Sequence, residues 1–155
     1  MRSVLVGLFL LLSFQGAHGQ EIPGWLAEVL RQAEPDELAY FVGASPDCSI
    51  TEEEIETIVK GVFVRSRIKP LGGYEYLSKD VYLNVALQCL PIDNNNPIYL
   101  IDVKFGKASG PAFILYERSF GSFGINTDKT IKQSIKSGAE AAITAYLQAN
   151  FDLGD

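Results

Sequence analysis

Histidine is nearly missing from this chain. Its 155 residues include one histidine (His18), one methionine, one tryptophan and two cysteines. His18 lies in a segment that reads as a cleavable leader, so the mature chain is expected to carry none. Without histidine there is no Ser-His-Asp or Cys-His relay, no imidazole metal ligand and no side chain that ordinarily titrates near neutrality. The two cysteines, Cys48 and Cys89, fit neither a C-x-x-C redox motif nor a zinc-binding spacing. No G-x-x-x-x-G-K phosphate loop and no Asn-x-Ser/Thr glycosylation acceptor occurs. Positive charge is also scarce: 13 Lys plus Arg stand against 19 Asp plus Glu, a net charge of −6. That balance opposes general binding to nucleic acid or to anionic membranes. No metal or cofactor site is expected, and the mature chain is expected to be non-catalytic.

Long apolar runs are absent except at the start. Arg2 precedes Val4 to Phe14 (VLVGLFLLLSF), and Ala17-His18-Gly19 offers small residues for a signal peptidase. This three-part pattern predicts a signal peptide over 1–19. The run falls short of the roughly 20 residues a membrane span needs. The expectation is a single secreted or periplasmic domain over 20–155, with no transmembrane segment after cleavage. Cleavage removes Arg2, so Lys plus Arg falls from 13 to 12 against 19 acids, and the net charge becomes −7. In an oxidising compartment Cys48 and Cys89 are expected to pair rather than remain two buried thiols.

The rest of the chain alternates helical and extended periodicity. Pro23 to Ala33 reads as a short helix with Leu26, Val29, Leu30 and Ala33 on one stripe. Leu38 to Ala44 is a short strand candidate. Thr51 to about Ile68 reads as a helix: Thr51 and Glu54 form a capping box, and Ile55, Ile58, Val59, Val62 and Phe63 make the apolar stripe. Pro70 and Gly72-Gly73 are expected to stop the chain there. Val81 to Leu90 alternates with period two, placing Val81, Leu83, Val85, Leu87 and Cys89 inward and Tyr82, Asn84, Ala86 and Gln88 outward. Asp93 to Pro97 reads as a turn, Ile98 to Phe105 as the next strand and Ala112 to Phe120 as a third. After a glycine-rich turn, Thr127 or Asp128 caps a long helix with Ile131, Ile135, Gly138, Ala139, Ala142, Ile143, Tyr146 and Leu147 along one face. The expected fold is α+β in the order α-β-α-β-β-β-α. It is a three-stranded antiparallel meander, Leu38 to Ala44 adding a fourth candidate strand, with helices packed on one face.

Few residues suggest chemistry. Asp102 and Glu117 fall on neighbouring strands, where two carboxylates can couple and serve a small hydrolase, although ordinary exposed sheet charges explain them equally. Ser66 to Lys69 matches S-x-x-K without its companion motifs. Phe120 and Phe123 flank a glycine-rich stretch before a helix, an aromatic loop suited to binding. Lys129, Lys132 and Lys136 share one side of the last helix, near the end where the helix dipole disfavours positive charge. The expected function is therefore an exported module that binds a protein or another envelope or extracellular component. Its expected contact residues are Tyr82, Asn84 and Gln88 on the outward sheet face, Phe120 and Phe123, and the three lysines. The alternatives are the carboxylate hydrolase and a structural accessory subunit of an envelope complex.

Overall fold

A computed structural model describes residues 22–72, 81–90, 98–109, 112–125 and 127–151. The predicted signal peptide and the Asp93–Pro97 turn lie outside the described residues. Among the described residues three helices and six strands follow in the order α1 (Gly24–Leu30), β1 (Glu37–Ala44), α2 (Glu52–Arg65), β2 (Lys69–Leu71), β3 (Val81–Leu90), β4 (Ile98–Ser109), β5 (Ala112–Ser119), β6 (Ser122–Ile125) and α3 (Asp128–Asn150).

The expected helices form for the expected reasons. The capping box of α2 is present: Glu54 N–H donates to Thr51 Oγ1 at 3.3 Å, and Thr51 N–H donates to Glu54 Oε2 at 3.0 Å. Its end is set by Arg67, at φ 58°, after which Ile68 N–H returns to the Phe63 carbonyl at 3.0 Å. Helix α1 stops at Leu30, short of Ala33, and buries Leu26 and Leu30. Helix α3 buries the face its spacing predicts from Ile131 to Tyr146, leaves Leu147 half-buried, and buries Ala145 and Ala149 as well.

The fold class is α+β, but the sheet is larger than a meander. Its six strands run β2-β1-β3-β4-β5, with β6 pairing β4 beside β5. β3, β4 and β5 are the expected antiparallel strands. β1 pairs in parallel with both β2 and β3, which makes the sheet mixed and corrects the purely antiparallel expectation. The β1-α2-β2 segment carries the chain back along the sheet through a helix, the connection parallel strands require. β2 contains Pro70, which as a sequence signal reads only as a stop. At the sheet margin a proline is tolerated, because its missing N–H faces no partner strand. β6 lies in the stretch expected to be a glycine-rich turn.

The sheet's inner face carries the core. Leu83, Val85, Leu87, Val103, Phe105 and Ile101 meet Ile55, Val59, Phe63, Ile135, Ala139 and Tyr146 from the helices, all at most 1 % exposed. Cys48 and Cys89 form the expected disulfide, with Cα atoms 5.2 Å apart, tying the β1–α2 loop to the end of β3. Beside it, Cys89 N–H donates to Ser45 Oγ at 3.1 Å and Ser45 N–H to the Leu87 carbonyl at 2.9 Å.

Candidate functional site

Each strand of the sheet has a second face, turned away from the helices, and the cross-strand register shows what lies there. In the antiparallel pairs, directly opposed residues share a face. Tyr82 pairs with Gly106, Asn84 with Lys104, Ala86 with Asp102, Gln88 with Leu100, and Leu90 with Ile98. Leu100 in turn pairs with Phe123, and Ile98 with Ile125. The outer face therefore changes character along its length.

At one end it is buried. Tyr82 lies across Gly106, where a Cβ would stand 2.4 Å from the ring, and packs with Ala39 and Leu71 in a small second cluster. The glycine leaves a groove in β4 that the tyrosine ring fills. Tyr82 is 3 % exposed and Asn84 is 8 % exposed. Both sit on the outward face, as the periodicity predicts, but under cover; Gln88 alone of the three is exposed.

In the middle, the face is polar and internally satisfied. Lys104 Nζ pairs with Asp102 Oδ2 at 2.8 Å, and Ser119 Oγ donates to Asp102 Oδ1 at 2.7 Å. The register places Ser119 opposite Lys104 and Leu115 opposite Gly106, so one residue of β4, Phe105, faces three of β5. Glu117 falls inside that bulge, and Asp102 is held by Lys104 and the Ser119 hydroxyl. The bulge closes when Gly121 N–H donates to Ser119 Oγ at 3.2 Å and Phe120 N–H donates to the Val103 carbonyl at 2.8 Å. After it, the chain rejoins β4 as β6.

At the far end the face is bare and apolar. Phe123 is 81 % exposed, Leu90 64 %, Ile125 59 % and Leu100 45 %, with Ile98 half-buried among them. These five side chains occupy two adjacent rows over three neighbouring strands. The two phenylalanines of the expected aromatic loop thus part company. Phe120 turns inward against Phe105, ring centroids 6.0 Å apart and nearly perpendicular, while Phe123 stands outward. Sequence reasoning singled out Phe123 but missed Leu90, Leu100 and Ile125. The signal was present in Leu90, the last residue of the outward set on β3, where alternation predicts a polar residue.

The remaining candidates are accounted for elsewhere. Lys132 Nζ pairs with Glu54 Oε1 at 2.7 Å, bridging α3 to α2 across a shallow groove lined by Glu53, Thr57 and Ile58. That contact, reinforced by the Thr51 cap, holds the Glu54 carboxyl below its ordinary range and raises Lys132. Lys136 approaches Glu140 at 3.7 Å, and Lys129 is exposed. Lys69, the lysine of the S-x-x-K match, pairs with Glu37 at 2.6 Å, and Ser66 caps α2. Among the described residues no cluster of His, Cys, Asp or Glu is placed to hold a metal, and no helix is long and apolar enough to cross a membrane.

No family model and no curated protein matches the chain. Among solved structures, similarity extends to a PelC dodecamer from Paraburkholderia phytofirmans, at 12 % identity and TM-score 0.46, over 72 % of this chain and 90 % of that one. A point variant of the same PelC matches at 11 % and 0.45, over 68 % and 84 %. A minor lipoprotein from Acinetobacter baumannii matches at 8 % and 0.33, over 74 % and 92 %. Likeness this distant carries no conclusion about ancestry, assembly or activity.

Proposed function

We propose that the mature chain is an exported, non-catalytic module that binds a protein partner, and that the bare end of the outer sheet face is its contact surface. The observation that carries this reading is the apolar double row of Leu90, Ile98, Leu100, Phe123 and Ile125. Single exposed apolar side chains are ordinary on a folded surface, whereas a contiguous patch marks an interaction site. The export signal read over 1–19 and the Cys48–Cys89 bridge both suit a chain that works in an oxidising compartment. Asp102, the polar residue closest to the patch along β4, is held by Lys104 and Ser119, so that part of the face presents an internally neutralised pair.

The test is photo-crosslinking in the native compartment. A photoreactive residue replaces Phe123 in one strain and Gln133, exposed on α3, in another. A discrete protein adduct from position 123, with none from position 133, is the expected result. Equal labelling at both positions, or none at 123, removes the reading.

A further inference from the structure

The same apolar end constrains what covers it, and on the reading of it as a contact surface the structure goes one step further. We propose that the occupant is a second copy of this chain, seated face to face across a two-fold axis. Three observations support this, and the net charge sets the salt dependence by which it is tested.

The first is area. Taking about 200 Å² for a large apolar side chain, Leu90, Leu100, Phe123 and Ile125 expose on the order of 500 Å². That is near the top of the roughly 300–600 Å² found for the largest apolar patch on a monomer. Two copies meeting through it remove about 1,000 Å² before any polar rim is added, which reaches the lower bound of a specific interface. The patch is large enough for a weak dimer and too small for an obligate one.

The second is shape. A two-fold contact requires a surface that complements itself. Phe123 is the most exposed side chain of the patch at 81 %, and its direct cross-strand neighbour Leu100 is the least exposed of the four at 45 %. A projecting group beside a recessed one is the arrangement a two-fold axis needs. The phenyl ring of one copy covers the leucine of the other, and the reverse contact follows by symmetry.

The third is charge. The five patch residues are uncharged, and the next two outward rows hold Asp102 and Lys104, which pair with each other. A basic or acidic partner has nothing to pair with there. A membrane surface is also a poor occupant, because the described patch residues include no lysine or arginine and the chain is acidic overall.

The net charge of −7 on each mature copy, by the count given above, sets how salt acts on such a contact. Like charges oppose association, and salt screens them. Self-association through an uncharged patch on an acidic protein therefore strengthens as salt rises, whereas a charge-driven contact weakens.

Sedimentation equilibrium on the mature protein, from about 1 µM to about 1 mM, brackets the affinities such a surface gives. The expected result is a monomer–dimer equilibrium that tightens with added salt and weakens at least tenfold in Phe123→Asp. Leu100→Gln weakens it also, and Gln133→Asp does not. Far-ultraviolet circular dichroism of each variant confirms that the fold is intact. A protein that stays monomeric to 1 mM overturns the proposal, as does a dimer indifferent to both patch substitutions. Saturable binding to neutral phospholipid vesicles that is lost in Phe123→Asp, without a dimer, overturns it in favour of a lipid occupant. The mass of the adduct at position 123 separates this proposal from the broader reading. A heterologous adduct on a monomeric protein removes the second copy and keeps the contact surface; no adduct at all removes both.

Discussion

Replacing Gly121 with alanine tests how the apolar end of the sheet is held in place. A Cβ at this position would sit 1.8 Å from the carbonyl oxygen of Ile101 and 2.7 Å from its carbon, where real Cβ atoms essentially never come within 3.0 Å of such neighbours. The obstacle is backbone on the central strand β4, packed on both sides, so it cannot turn aside as a flexible side chain does. The bulge and the start of β6 must retreat by more than about 1 Å, which breaks hydrogen bonds whose ideal length is near 2.9 Å. Losing the short β6 ladder, at about 1 kcal/mol for each bond, together with the strain of the displaced bulge, gives about 2–4 kcal/mol. That is a large share of a domain stability of about 5–15 kcal/mol. Urea unfolding reads the loss, and amide hydrogen exchange locates it: residues 122–125 lose protection while α2 keeps it. Gly61→Ala is the matched control. There the nearest atom is the flexible guanidinium of Arg65 at 3.4 Å, the site is helical, and a gain of about 0.5–1 kcal/mol is expected. A Gly121→Ala protein within about 0.5 kcal/mol of the parent, with β6 amides still protected, refutes the reasoning.

Two further predictions concern the fold's other ties. Replacing Cys48 and Cys89 with alanine opens a loop of sequence separation 41, for which chain entropy gives about 4 kcal/mol; the urea midpoint should fall, with a slope that steepens as the opened unfolded chain exposes more surface, and an unshifted midpoint removes the disulfide as a source of stability. Tyr40 and Tyr146 are both pushed up to about 12, Tyr40 by burial and its 2.6 Å hydrogen bond to Glu56, Tyr146 by burial and nearby Asp36. A raised tyrosine favours the neutral phenol in the folded state, so this contribution is complete below pH 10 and is lost as pH climbs from about 10 to about 12. Phenolate absorbance in Tyr40→Phe and Tyr146→Phe should each lose one late-titrating group, and a parent protein whose tyrosines all ionise near 10 contradicts the burial argument.

What the sequence made legible was local. The α2 cap, the α3 stripe and the β3 alternation each depend on neighbours within a turn or a strand, and each formed as expected. The disulfide followed from the cysteine count and the expectation of an oxidising compartment. The parallel pairing of β1 was not legible, because nothing within Leu38 to Ala44 distinguishes a strand paired to its neighbour in sequence from one paired after a helical crossover. Pro70 and Gly121 both misled for one reason: each is a stop signal in isolation and a fitted part at a sheet margin or a bulge. The candidate site was legible only in part. Phe123 was singled out, but as half of a loop, because the bulge that turns Phe120 inward and Phe123 outward arises from β4–β5 register, which no local pattern encodes. Tyr82 and Asn84 were correctly placed on the outer face, yet the room for the Tyr82 ring depends on a glycine of the next strand.

The outer face shows two answers to one problem, and the difference between them separates fold from function. Tyr82 over Gly106 shows that this face can hide its own apolar surface: a notch in one strand receives a ring from the next. Among the described residues nothing of that kind protects Leu90, Leu100, Phe123 and Ile125, and β6 is kept in place despite a buried Ser122 hydroxyl that has no hydrogen-bond partner among them. A local rule broken without local gain points to a gain made elsewhere. The consequence can be measured on Phe123 alone. With four-fifths of its surface in water, the ring contributes little to the monomer, so Phe123→Ser should leave unfolding free energy within about 0.5 kcal/mol of the parent. The same substitution removes the most exposed apolar group of the proposed contact, so dimer formation and crosslinking should fall together. If Phe123→Ser instead costs the monomer more than about 1 kcal/mol, the ring is part of the core's support, and the patch is a feature of the fold rather than a binding surface.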